Sequence, residues 1–258
     1  MMKYLQIILI ALACFSCKKS NDPYPYTFHS IKNYDDTEVE VLAKYVKKND
    51  TISIVEFLKD NPNVSIDTKD RYFGYSLLMW AIYNHKYEAF HCLLNHGANP
   101  NFIGEYNKET PLLQSFCYYG SSWDKKSYEI DIRYCKELLE KGANPNYGYA
   151  IHEAVARDLE YVKLLIEYGA DFNTKYYGRS PADDAIIQIM PEIAEYLIIE
   201  KKALIYNHPF WKSWEGYEDP KFASSLASSR KRIINYLKEH PEQLMYNKAT
   251  KNNKDSIQ

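Results

Sequence analysis

The chain has 258 residues, and its 32 Lys and Arg against 34 Asp and Glu leave a net charge of −2. That balance gives no electrostatic basis for binding nucleic acid. The length is enough for one long core. Of the five cysteines, Cys92, Cys117 and Cys135 lie in helical patterns, and an odd count at such positions reads as packing rather than a disulfide framework.

At the N-terminus, Lys3 precedes an apolar run from Leu5 to Phe15, interrupted only by Gln6 and followed by Ser16-Cys17-Lys18-Lys19. About a dozen residues cannot span a bilayer, which needs roughly 20, but they fit the hydrophobic region of a secretion signal. A cysteine closing such a run, with polar residues directly behind it, resembles a bacterial lipoprotein signal. The resemblance implies cleavage before the cysteine, its lipidation, and export to the periplasm or cell surface. Cys17 has the small Ser16 before it and the polar stretch after it; Cys14 follows Ala11-Leu12-Ala13 and is the alternative. An ordinary signal peptide, or a buried first helix, is the competing reading. Residues 1–16 are thus expected to be a signal and 17–34, with Pro23 and Pro25, an extended tether to the membrane.

Further along, apolar stripes recur at helical spacing. Ile54, Phe57 and Leu58 form the first, with Asn61 where later copies carry glycine and expected in the left-handed conformation. Tyr87, Phe90, Leu93 and Leu94 form the next and align with Ile132, Cys135, Leu138 and Leu139, then with Leu159, Val162, Leu165 and Ile166. Each of these three is followed by nearly the same phrase: Gly97-Ala98-Asn99-Pro100-Asn101, Gly142-Ala143-Asn144-Pro145-Asn146 and Gly169-Ala170-Asp171-Phe172-Asn173. The glycine is predicted to stop the helix in the left-handed region. Upstream, Ser76-Leu77, Thr110-Pro111 and Ser180-Pro181 open a shorter helix, where a proline just inside the start loses nothing. Ala194, Leu197 and Ile198 repeat the stripe once more, one residue out of register, with Lys201-Lys202-Ala203 replacing Gly-Ala. Phe222, Leu226, Ile233, Ile234 and Leu237 suggest a helical cap, and Pro209, Phe210, Trp211 and Trp214 are expected to bury against the last good repeat.

A short helix, a longer helix and a Gly-Ala-Asn/Asp phrase resemble the ankyrin repeat, and Tyr149-Ala150-Ile151-His152-Glu153-Ala154 keeps the His and Ala of that family's helix-opening box. The resemblance implies an all-α solenoid of helix–turn–helix repeats with short β-hairpin loops. It also implies a protein partner, held on hairpin tips and first helices. About five repeats over 35–204 are expected, then a cap or worn repeat over 205–247 and a disordered tail over 248–258.

The sequence carries no G-x-S-x-G, no G-x-x-x-x-G-K and no H-E-x-x-H, so it implies no enzyme, cofactor or metal site. His91 and His96, five apart, face different sides of a helix. His152 is expected to hydrogen-bond within its repeat and to the neighbouring turn. Asp183-Asp184 could be an acidic pair, with a solvated or capping role the more ordinary reading.

Three departures from the repeat point to a binding surface. Thr110 to Ile132 is 22 residues against 11 from Ser76 to Tyr87, so a loop near Gly120–Tyr128 carries Trp123, a contact candidate unless it folds back on the outer helices. Gly142 to Tyr149 is only 7 residues, against 13 from Gly97 to Thr110 and 11 from Gly169 to Ser180, which predicts a missing tip. Finally, 25 tyrosines are present, and Tyr72, Phe73, Tyr106, Tyr147, Tyr149, Tyr176 and Tyr177 fall where hairpin tips belong. Rigid amphipathic rings give contact area at low ordering cost; an A/T-rich genome would also raise tyrosine overall. These residues lead to an expectation of a monomeric, lipid-anchored envelope protein that binds a protein partner, as an inhibitor or immunity protein, or alternatively as an adaptor that organises envelope enzymes.

Overall fold

A computed structural model describes residues 30–116, 131–206 and 224–245. They fall into two compact units, one of residues 30–108 and the other of 109–116 with the described residues from 131 onward. The all-α expectation holds: among the described residues there are helices and two isolated bridges, Tyr176–Arg179 and Ile205–Leu244, but no strand. Hairpin loops are therefore reduced to turns. No described helix is long and apolar enough to cross a membrane.

The first unit holds two helix pairs, α1 (Glu40–Lys48) with α2 (Thr51–Asp60) and α3 (Leu77–Tyr83) with α4 (Tyr87–Asn95). Like packs on like, α1 against α3 and α2 against α4. The structure begins earlier than residue 35, because Ile31–Tyr34 form a 3-10 turn against α1. Tyr34 is fully buried there, and its hydroxyl donates to the Tyr75 carbonyl at 2.9 Å. Burial, with the Asp70 carboxylate nearby, pushes its phenol well above the usual range.

The second unit holds three pairs: α5 (Pro111–Gln114) with α6 (Ile132–Glu140), α7 (Ala150–Val155) with α8 (Leu159–Glu167), and α9 (Pro181–Ile187) with α10 (Pro191–Glu195). First helices α5, α7 and α9 stack in one layer and α6, α8 and α10 in the other. The expected helical cap is α11 (Ser224–Glu239), which packs on α10 through the buried Ile233 and Leu237 and an Arg232–Glu195 ion pair at 2.6 Å. Phe210, Trp211, Trp214, Phe222 and the Leu226 side chain lie outside the described residues.

Four of the five positions in the recurring phrase have a physical reading. Gly97, Gly142 and Gly169 have φ of 93°, 85° and 90°, and an added Cβ at any of them would meet only open space, so backbone conformation alone selects glycine. The alanine that follows is buried, and its N–H closes on a carbonyl five residues back, as Ala98 does on Leu93, Ala143 on Leu138 and Ala170 on Leu165. Asn99, Asn144 and Asp171 each accept the N–H two residues on, at 2.8–2.9 Å, which bends the chain into an Asx turn. In the second and third copies the last asparagine reaches forward to the next repeat. Asn146 accepts from the Asp171 N–H at 2.7 Å and donates to the Gly169 carbonyl at 2.9 Å, and Asn173 accepts from the Leu204 N–H at 2.7 Å.

Two terminal repeats depart from this pattern. Asn61 is not left-handed; its φ is −125°, with main-chain and side-chain N–H groups both on the Phe57 carbonyl. Its own amide satisfies the helix end, so no left-handed turn is required, and the following chain runs through turns instead. At the other end the one-residue slip is absorbed by a π-helical turn over Tyr196–Glu200. Lys202 then takes the glycine's place at φ 57°, and Ala203 closes on Leu197, six residues back rather than five.

Candidate functional site

Three of the first helices, α3, α5 and α9, are fixed by side-chain caps. The Ser76, Thr110 and Ser180 hydroxyls accept from the N–H groups of Met79, Leu113 and Asp183, and Asp183 returns a bond to the Ser180 N–H at 2.8 Å to complete a capping box. Asp183 is therefore a capping residue, as one reading of the acidic pair expects, but it is buried rather than solvated. Asp184 is buried too. Its carboxylate lies 2.6 Å from His152 Nδ1 and 2.8 Å from Arg179 Nε. The His152 contact is thus with the first helix of the next repeat, not with a turn, because α9 stacks directly on α7. Arg179 stands at the base of the turn before α9, so the same carboxylate holds that turn to the helix layer.

The turn itself is a two-residue hairpin. Tyr176 and Arg179 exchange N–H···O bonds at 2.9 and 3.1 Å, while Tyr177 and Gly178 at its tip have φ of 50° and 76°. Paired positive φ values match the twist of hairpin strands and are normally filled by Asn-Gly. A tyrosine there costs roughly 1–2 kcal/mol of backbone strain, and 78% of Tyr177 is exposed to water. Its ring lies 4.5 Å from that of Tyr176, which in turn stacks on Tyr149 at 4.8 Å with 25° between planes. Tyr176 also lies 5.6 Å from the His152 ring, so the polar bridge below supports the aromatic platform above. Burial, then Tyr177 and the Glu153 carboxylate, push the Tyr176 phenol above its ordinary range.

In the first unit an acidic side chain builds a comparable tip. The Asp70 carboxylate is buried and accepts from the N–H groups of Tyr72 and Phe73 at 2.8 Å and of Tyr75 at 2.7 Å. Tyr106 donates its N–H to the Phe73 carbonyl at 3.0 Å, and the two rings meet edge-to-face at 6.0 Å. Gly104 packs beside them on Tyr75, where a Cβ would come within 2.6 Å of the ring. Tyr72 at 47%, Tyr106 at 48% and Ile103 at 47% exposure form the outer surface, and Lys69 pairs with Glu105 beside them.

The structure thus brings Tyr72, Phe73 and Tyr106 together in one unit and Tyr149, Tyr176 and Tyr177 in the other. Tyr147 is half-buried on the shortened Gly142–Tyr149 connection, which closes in turns without a bridged tip; among the described contacts it does not join the Tyr149 stack. Trp123, Cys14 and Cys17 lie outside the described residues, as does Cys117. Cys92 and Cys135 are buried free thiols, and burial pushes Cys135 up to about 12. Asp70, Asp184 and Arg179 position the rings and were not singled out for that role by the sequence. For Asp70 and Arg179 the one signal is an Asp or Arg two or three residues from an aromatic pair; Asp184, seven residues past Tyr177, has none of that kind. Among the described residues no group of three His, Cys, Asp or Glu side chains is placed to hold a metal.

Comparison with known families agrees with this architecture. A model described as ankyrin repeat matches residues 73–102, and one described as ankyrin repeats (3 copies) matches residues 126–207. The fold is all-α and built of ankyrin repeats, modules of protein–protein interaction. No curated protein matches the chain.

Proposed function

We propose that this chain is a non-enzymatic binding protein that is exported, lipid-anchored through Cys17, and holds a folded protein partner in the bacterial envelope on the aromatic rings at its turn tips. The observation that carries the reading is Tyr177, a large ring kept in water on a strained left-handed backbone. Positive φ alone does not mark it, since Ile189 and Lys202 share it; strain together with the packed Tyr176 and Tyr149 rings is what points to function. Tyr72 and Tyr106 in the first unit are also exposed, to about half, without that strain. Residues 1–16 would leave as a signal, and the stretch after Cys17 would tether the repeats to the membrane. An anchor joined to a binding scaffold suits an inhibitor or immunity protein that neutralises a toxin at the envelope. That each unit carries its own aromatic patch favours, as a second reading, an adaptor that holds two envelope proteins.

The test is affinity capture of the C-terminally tagged full chain from its own envelope, compared with Tyr106→Ala/Tyr177→Ala. The expected result is one stoichiometric partner with the parent and none with the variant, at unchanged circular dichroism. Equal capture by both would remove the aromatic tips from the account. Two partners, each lost with one tyrosine, would select the adaptor. Incorporation of an alkyne-labelled fatty acid, expected in the parent and absent from Cys17→Ala, tests the anchor separately.

A further inference from the structure

The second unit's platform has a charged neighbour that its rings do not explain. Glu153 lies four residues after Tyr149 on α7, and its N–H donates to the Tyr149 carbonyl at 3.1 Å. Side chains one helical turn apart share a face, and each leans back towards the helix N-terminus. The Glu153 carboxylate is near enough to Tyr176 for its charge to raise that phenol. Its side chain is 31% exposed, and its one ion pair among the described residues is Arg157 at a loose 3.9 Å. The other charged groups near it are committed or of its own sign. Arg179 is 2.8 Å from Asp184, Asp184 also holds His152, and Glu109 is a further buried carboxyl. Lys175, next to Tyr176 in the chain, sits 3.8 Å from the Tyr206 ring instead.

Resting on the binding reading above, we propose that Tyr149, Tyr176, Tyr177 and Glu153 form a receptor for an arginine side chain presented by the protein partner. The exposed Tyr177 ring and a half-open carboxylate match a guanidinium in three ways. It stacks flat on aromatic faces, its charge is drawn to the ring quadrupole, and its N–H fork fits a carboxylate in two-point contact. An ammonium offers the charge without the plane. Burial raises the Glu153 carboxyl above its ordinary range against the opposing pull of Arg157, so the folded chain holds this charge at a cost that an incoming cation would offset.

The probe is Nα-acetyl-arginine amide, with Nα-acetyl-citrulline amide as its uncharged isostere, each added to the full chain in detergent micelles and read by saturation-transfer NMR. The expected result is transfer to the arginine side-chain protons about tenfold stronger than to citrulline, a difference in the range of a partly desolvated cation–π contact with a charge-assisted bond. Glu153→Gln and Tyr177→Ala should each remove most of that difference. Glu56→Gln, which deletes one exposed carboxylate in the other unit, should keep it. Equal transfer to arginine and citrulline overturns the proposal, and so does a Glu153→Gln variant that folds and behaves as the parent. If the probe fails while the partner is still lost from Tyr106→Ala/Tyr177→Ala, the arginine receptor falls and the binding reading stands.

Discussion

The same helix-end position is filled by Gly169 after α8 and by Lys202 after the π-helical turn, at φ 90° and 57°. Exchanging their residue types should therefore move stability in opposite directions. At Gly169 an added Cβ meets nothing within 4 Å, so Gly169→Ala has no steric clash and registers the left-handed penalty alone, roughly 1–2 kcal/mol. Lower chain entropy in the unfolded state returns about 0.5–1 kcal/mol, leaving a loss of about 1 kcal/mol. Lys202→Gly reverses each term and should gain a similar amount. Lys202 is exposed, and its attraction for the solvent-facing Glu242 is a surface interaction of little weight. Urea denaturation followed by circular dichroism gives both values, and hydrogen exchange at Ala203 N–H, bonded to Leu197, reports the second one locally. Stability that falls in both variants would mean that Lys202 is held by contacts rather than strained by its backbone.

Three further outcomes follow from the same structure. Asn146→Ala removes two bonds to the next repeat and should lower stability by about 1–2 kcal/mol, with Asn146→Asp, which keeps only the acceptor, falling in between on urea titration. The Glu153 carboxyl is raised, so the folded state holds its proton more tightly than the unfolded chain. Stability then falls as pH rises from below the ordinary glutamate range through the raised value; Glu153→Gln should match the parent at pH ~3 and exceed it at pH ~7. Cys135, pushed up to about 12, should resist iodoacetamide at pH ~8 until the chain is unfolded, which mass spectrometry of the tryptic peptide would register.

What could be read from the sequence was local. A stripe at i, i+3, i+6 and i+7 states which helix face is apolar, and the core duly contains Phe90, Leu93, Cys135, Leu138, Val162 and Leu165. Glycine after each stripe states the turn, because a positive φ is a property of one residue. The misses share a different cause. Asn61 resembled a left-handed terminator, yet its side chain bonded the preceding turn, a choice between two acceptable conformations that composition cannot make. The slip before Lys201 was visible as an offset, but whether a loop or a wider helical turn absorbs it depends on packing against α11. Tyr34 looked like part of a tether because its partner, the Tyr75 carbonyl, is 41 residues away. The His152–Asp184 bridge spans 32 residues and exists only once α9 stacks on α7.

The tip rings occupy an intermediate place. Their positions followed from where hairpin tips fall in the repeat resemblance, and the structure gathers six of them into two clusters. Their exposure and the strain at Tyr177 could not be counted, since both depend on which neighbours cover a turn. The carboxylates beneath them, Asp70 and Asp184, are buried polar groups that read in sequence as ordinary loop and helix residues.

The most direct test of the binding role is photo-crosslinking in the producing cell, with benzoylphenylalanine placed at position 177 and, as a control, at position 189, where Ile189 is 48% exposed away from the tips. One discrete protein adduct from 177 and none from 189 is the outcome a binding role at the tips requires. No adduct at 177 in well-folded protein, or the same adducts from both positions, would contradict it.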